Sequence, residues 1–226
     1  MKHPLAILFT LVALSSASPA LAGDSPDLST LRPQNFEFVA WSTDSALILL
    51  KLDDPNAGLI FQVRDAKSGE IFKMGAKPAV FPSPHAANSD EERKFIKQLV
   101  NGQKGVKVDG KPVKFDQPGV AEAAHPVKSD IMLMTGQKGD KFMVMGMRGE
   151  RVTKYDSIDL LKDKKGVIAK ASQKALVWDA EGKNFCLIYR QVLKSEDTPF
   201  EGDFFVVSKF KPYKVKAAGE KDGGEE

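Results

Sequence analysis

The sequence predicts a mainly β protein: antiparallel sheets built from long hairpins, in a partial-propeller or sandwich-like arrangement, with one amphipathic helix near residues 90–101. Three observations predict it. Apolar runs of strand length flank both tryptophans, Trp41 and Trp178, and are broken by turn residues. The stretch from Ile131 to Tyr155 alternates and turns in the same way, at Gln137-Lys138-Gly139 and Arg148-Gly149-Glu150. Only one stretch carries a clear helical period, Phe95, Ile96, Leu99 and Val100, after the capping box Ser89-Asp90-Glu91-Glu92.

The first 22 residues read as a signal peptide. Lys2 and His3 give a positive start, and Pro4 to Leu14 is apolar but too short to span a bilayer. Ala20-Leu21-Ala22 is the small-x-small pattern of a cleavage site, so the exported chain is expected to begin at Gly23 and to be periplasmic or extracellular. No later apolar stretch reaches about 18 residues, so no membrane span is expected. Cleavage leaves 204 of 226 residues, with 32 basic against 30 acidic side chains. Lysines are interspersed with Asp and Glu, without the basic stripe that nucleic acid requires.

In chain order, residues 23–34 are a polar, Pro-containing lead-in, and residues 35–216 form one β-rich domain with possible halves 35–115 and 130–216. The first unit has a strand ending at Trp41, a turn at Thr43-Asp44-Ser45, and strands over Ala46–Leu52, Leu59–Val63 and Glu70–Lys73. Met74 to Ala87, with Pro78, Pro82 and Pro84, is expected to be irregular. Val106 to Phe115 reads as a hairpin turning at Asp109-Gly110, and Gln117 to Ser129 as loop. Ser157 to Leu161 reads as a strand end or a helical turn, and Lys162 to Lys165 as a solvated charged turn. The last unit runs from Ala175 to Lys211, turning at Glu181-Gly182 and through Lys194–Gly202. Residues 217–226 lack apolar side chains and are expected to be a disordered tail.

Trp-Ser-Thr-Asp-Ser before an apolar strand, then Val-Arg-Asp-Ala-Lys-Ser-Gly-Glu-Ile, resembles a β-propeller blade of the WD40/TolB kind. The resemblance covers residues 38–73 and, in part, 175–211. Too few units of this size are present to close a propeller of four or more blades. It implies hairpin geometry and a binding role, and it carries over no functional residue.

Candidate chemistry is sparse. Cys186 lies within Phe185-Cys186-Leu187-Ile188 and reads as a small buried strand residue. His85 and His125 each adjoin a proline and read as exposed loop residues, without the spacing of a zinc site. Asp53, Asp54 and Asn56 put oxygen ligands beside Gly58, but without the spacing of a calcium loop. Ser208 and Lys211 spell S-x-x-K on a strand, where an odd step separates their faces. No nucleotide-binding glycine motif or nucleophile elbow is present, and no cofactor is expected.

Five of the seven methionines, Met132, Met134, Met143, Met145 and Met147, fall within sixteen residues. Core packing is the leading reading; an exposed protein-binding patch and a Cu(I) site using Met143, Met145 and Met147 are the alternatives. The expected function is a non-catalytic binding or structural module of the bacterial cell envelope. A periplasmic copper-binding protein is second, and an enzyme without a nominated nucleophile or base third. The expected partner is an envelope protein or a glycan, contacted through the loops holding Asp53, Asp54 and Asn56 and Glu196, Asp197 and Phe200. Mass spectrometry of the chain exported by a bacterial host should find Gly23 at the amino terminus; Met1 retained on an exported product contradicts the targeting assignment.

Overall fold

The computed structural model describes residues 31, 33–54, 58–103, 106–108, 110–115, 124–128 and 130–210. Residues 1–22, read as a signal peptide, residues 217–226, read as a tail, most of the expected loop Gln117–Ser129, and Asn56, Asp109 and Lys211 lie outside the described residues. The elements are β1 (Asn35–Trp41), β2 (Leu47–Asp54), β3 (Gly58–Asp65), β4 (Lys73–Met74), β5 (Lys77–Pro78), β6 (Val80–Pro82) and α1 (Asp90–Val100). They continue with β7 (Lys107–Val108), β8 (Lys111–Pro112), β9 (Ile131–Lys138), β10 (Lys141–Arg148), β11 (Arg151–Asp159), β12 (Lys170–Trp178), β13 (Asn184–Leu193) and β14 (Phe200–Lys209). The protein is mainly β and antiparallel, with a single short helix among the described residues.

Three sheets stack in series. The N-terminal sheet has order β1-β2-β3-β6, the middle sheet β11-β10-β9, and the C-terminal sheet β12-β13-β14. Period-two alternation assigns the layers. Phe185, Leu187 and Tyr189 of β13 pack with Leu133, Phe142 and Val144 of the middle sheet. Cys186 and Ile188, one step out of phase, pack with Phe36, Ile48, Leu50 and Leu52 of the N-terminal sheet. The C-terminal sheet is therefore the centre of the stack. The N-terminal sheet is also covered on its far face, where Leu47, Leu49, Phe61 and Val63 meet Phe95 and Leu99 of α1.

The helix begins as its sequence predicts. Ser89 Oγ accepts the Glu92 N–H at 3.1 Å, while the Glu92 carboxylate accepts the Asn88 N–H, one residue earlier than a standard capping box. Glu92 Oε1 also lies 2.9 Å from Lys51 Nζ, fastening α1 to β2.

Both tryptophans end strands, and the turns after them match bond for bond. The Ser42 N–H donates to Leu47 O at 2.8 Å and the Asp179 N–H to Asn184 O at 3.0 Å; the Ser45 and Gly182 N–H groups donate to Ser42 O and Asp179 O. Ser45 and Gly182 share the left-handed conformation, with φ of 57° and 68°.

Several expectations are corrected. The strand expected over Glu70–Lys73 reduces to a bridge between Arg64 and Ile71, followed by the β4–β5 hairpin. The proline-rich segment expected to be irregular contains β5 and β6. Pro82 sits on an edge strand, where a missing N–H is tolerated. Ser157 to Asp159 is strand. The charged turn is anchored through Asp163, 9% exposed, which accepts bonds from Ser195 Oγ and from the Lys165 and Val167 N–H groups.

A buried carboxylate closes the seam between β1 and β14. Asp203, its side chain fully buried, accepts the Phe36 N–H at 3.0 Å, Lys174 Nζ at 2.5 Å and Arg190 Nε at 2.8 Å. Asp203→Ala leaves a buried N–H and two cations short of a partner and should cost about 3 kcal/mol. Denaturant titration checks this; a loss below about 1 kcal/mol contradicts the role assigned to Asp203.

Candidate functional site

The candidate site is the outer face of the middle sheet. A two-residue connection, Gly139-Asp140, joins β9 to β10 and sets the register that places Met145 opposite Met134, Met147 opposite Met132 and Met143 opposite Gly136. Met132 is 44% exposed and Met134 40%, whereas the intervening Leu133 is 2% exposed and Val144 fully buried. Met143, Met145 and Met147 are half-buried among their neighbours. The core-packing expectation for these methionines is thereby corrected. A strand alternates between two faces, and Leu133, Phe142 and Val144 occupy the one pressed on β13.

The third strand completes the surface. Val152 faces Met147, Lys154 faces Met145 and Ser157 faces Met143. Val152 is exposed, and the Ser157 hydroxyl donates to Met143 Sδ at 3.5 Å. A bulge between Val144 and Met145 takes Tyr155 inward, towards Phe210. Gly136 forms a low point in the face, and the Met145 methyl would lie 3.7 Å from a Cβ placed there. Charges border the face. Lys141 pairs with Asp159, and Arg148 Nε lies 2.5 Å from Asp130. Lys138 and Lys154 are exposed and unmatched by any ion pair among the described residues. The face offers polarizable thioethers, apolar contact and two cations.

The loop residues expected to make contacts are dispersed. Asp53 is exposed at the end of β2, but Asp54 is buried. Glu196 and Asp197 are exposed in the β13–β14 connection, with Asp197 2.8 Å from Lys165. Phe200 is corrected from contact residue to core: it packs with Leu161, Ala169 and Leu193 and meets Phe204 at 5.8 Å between ring centroids. These residues lie on β2, on β14 and in the β13–β14 connection, and the methionines on the middle sheet.

His125, which the sequence places at the surface, is 4% exposed, a further correction. Its ring lies 4.8 Å from that of Trp178 and 4.5 Å from that of Phe210. Nδ1 accepts the Val127 and Lys128 N–H groups at 3.1 and 3.0 Å. Gly182 is required beside it, because a Cβ there would fall 2.2 Å from His125 Cε1. Neither His-Pro adjacency nor loop composition signals this; only the fold brings the 124–128 segment onto the Trp178 turn. His85 instead meets Phe95 edge-on at 6.1 Å. Among the described residues no group of three or more His, Cys, Asp or Glu side chains could hold a metal ion. Cys186 is fully buried, as expected, and burial pushes its thiol far above the usual range. Ser208 Oγ is committed to Asp156 Oδ2 at 2.7 Å.

Comparison with protein-family models, curated proteins and solved structures finds no match.

Burial holds the His125 pKa below the usual histidine value, reinforced by Lys128 and opposed by the Gly182 backbone and Asp179. Above about pH 6.5 the ring is neutral both folded and unfolded. As pH falls, the unfolded chain takes the proton first, so stability should decline from about pH 6.5 down to the depressed folded value and then level off. Denaturant midpoints measured across this range should show the decline in the parent and a reduced slope in His125→Phe; an equal slope in both contradicts the assignment.

Proposed function

We propose that the chain is an exported, non-catalytic binding module of the cell envelope, and that its recognition surface is the methionine face rather than the loops. The amino-terminal segment supports export. Among the described residues, no helix is long and apolar enough to cross a membrane. The single observation that carries the reading is the exposure of Met132, Met134 and Val152 on a sheet whose other face is core. Flexible thioethers adapt to varied apolar surfaces, which suits a docking face.

The occupant that fits is an apolar segment of another envelope protein flanked by acidic residues. Lys138 and Lys154 supply the complementary charge at the border. A glycan fits less well, because no aromatic ring lies among the side chains of this face to stack on a sugar.

A labelled peptide of alternating Leu and Glu serves as the probe. It should bind the parent chain, lose at least about tenfold in affinity to Met134→Glu/Met145→Glu, and bind less tightly at high salt. A charge-reversed Leu/Lys peptide should bind more weakly. Equal binding to the parent and the double variant contradicts the proposal.

A further inference from the structure

We infer that Met132, Met134, Met145 and Met147 together form a thioether site for a soft monovalent cation, Cu(I) or its analogue Ag(I). The inference shares the face of the docking proposal but does not depend on a protein partner.

The argument begins with register. Met134 stands directly opposite Met145, and Met132 directly opposite Met147, on adjacent antiparallel strands. Directly opposed Cβ atoms lie about 5 Å apart, and residues two apart along a strand about 7 Å apart. The four side chains thus spring from the corners of a small rectangle on one face. Each thioether has rotatable bonds enough to swing its sulfur over the centre. Exposure of Met132 and Met134 leaves the approach open, and the low point at Gly136 gives the Met145 methyl room to turn aside.

The donor set selects the ion. Thioether sulfur is neutral and soft; it favours Cu(I) over hard ions such as Ca²⁺ and Mg²⁺. Among the described residues, no His, Cys or carboxylate cluster competes for the ion. Cys186, the single thiol of the chain, is fully buried where β13 packs on the N-terminal sheet. Because thioethers carry no proton to lose, binding should persist in mild acid, where imidazole and thiolate sites fail. Met143 is set apart from the rectangle: it faces Gly136, and Ser157 occupies its sulfur. Lys154, opposite Met145, is the like charge at the edge, so Lys154→Ala should tighten the complex. No change of oxidation state is involved, since the ion binds and leaves as the monovalent cation.

The test uses the chain as exported by its host, labelled at the methionine methyl carbons and titrated with Ag(I), which needs no reductant. One equivalent should shift the methyl signals of Met132, Met134, Met145 and Met147, with smaller changes at Met143 and none at Met74. Anaerobic competition against a chromophoric Cu(I) chelator should give 1:1 binding that is unchanged at mildly acidic pH. The quadruple Met→Leu variant should lose at least about tenfold in affinity, and Cys186→Ala should lose none. Leu keeps the face apolar, so the quadruple variant should still bind the acidic peptide, which separates failure of the metal site from failure of the docking surface. Retained Ag(I) binding in the quadruple variant, loss of binding in Cys186→Ala, or the absence of methyl shifts at one equivalent would each overturn the site.

Discussion

The structure depends on the two-sided burial of β13. Its residues alternate without a polar break from Phe185 to Tyr189, and each is under 5% exposed. A strand of this kind cannot lie at a surface. It needs a layer on each side, and the chain supplies one from its N-terminal unit and one from its middle unit. With one face pressed on β13, the middle sheet has a single face left. That face is Met132 to Met147, and the stacking order sends it to solvent.

Polar fixings hold the layers at defined points. Asp203 gathers the Phe36 amide, Lys174 and Arg190 at the β1–β14 seam. Arg64 lies buried with its guanidinium 4.9 Å from the Phe205 ring centre and 5.8 Å from that of Phe36, and donates to Gln62 Oε1 and Gly69 O. Burial lowers the pKa of this guanidinium to about 10. Gln137 joins β9 to β12 with a side-chain amide that imitates a strand: Oε1 accepts the Ala171 N–H and Nε2 donates to Ala169 O. These bonds add direction to a hydrophobic stack that would otherwise tolerate sliding.

The amino-acid sequence made the hairpins, both Trp turns, the helix and the burial of Cys186 legible, because each rests on local period and turn chemistry. The orientation of the middle sheet was not legible. Period two says that Met143, Met145 and Met147 share a face; it does not say which face is covered, and both faces of β10 are apolar. Deciding it requires knowing that β13 is the partner, a contact some forty residues distant in sequence. Phe200 is illegible for a related reason, since a loop boundary does not reveal that the next strand begins inward. His125 was invisible because its packing against Trp178 and Gly182 comes wholly from tertiary approach. Val152 and Lys154 follow from the Gly149-Glu150 turn in regular register with Met147 and Met145, whereas the bulge at Tyr155 breaks the alternation beyond them and hides the pairing of Ser157 with Met143.

The central claim is the outward orientation of this sheet, and solvent paramagnetic attenuation of methyl resonances tests it most directly. With a neutral soluble relaxation agent, the Met132 and Met134 methyls should be attenuated strongly and those of Met143, Met145 and Met147 next, while the methyls of Leu133, Val144 and Leu187 remain sharp. The reverse pattern, with protected methionines and attenuated Leu133 and Val144, would show the sheet turned over and contradict the account.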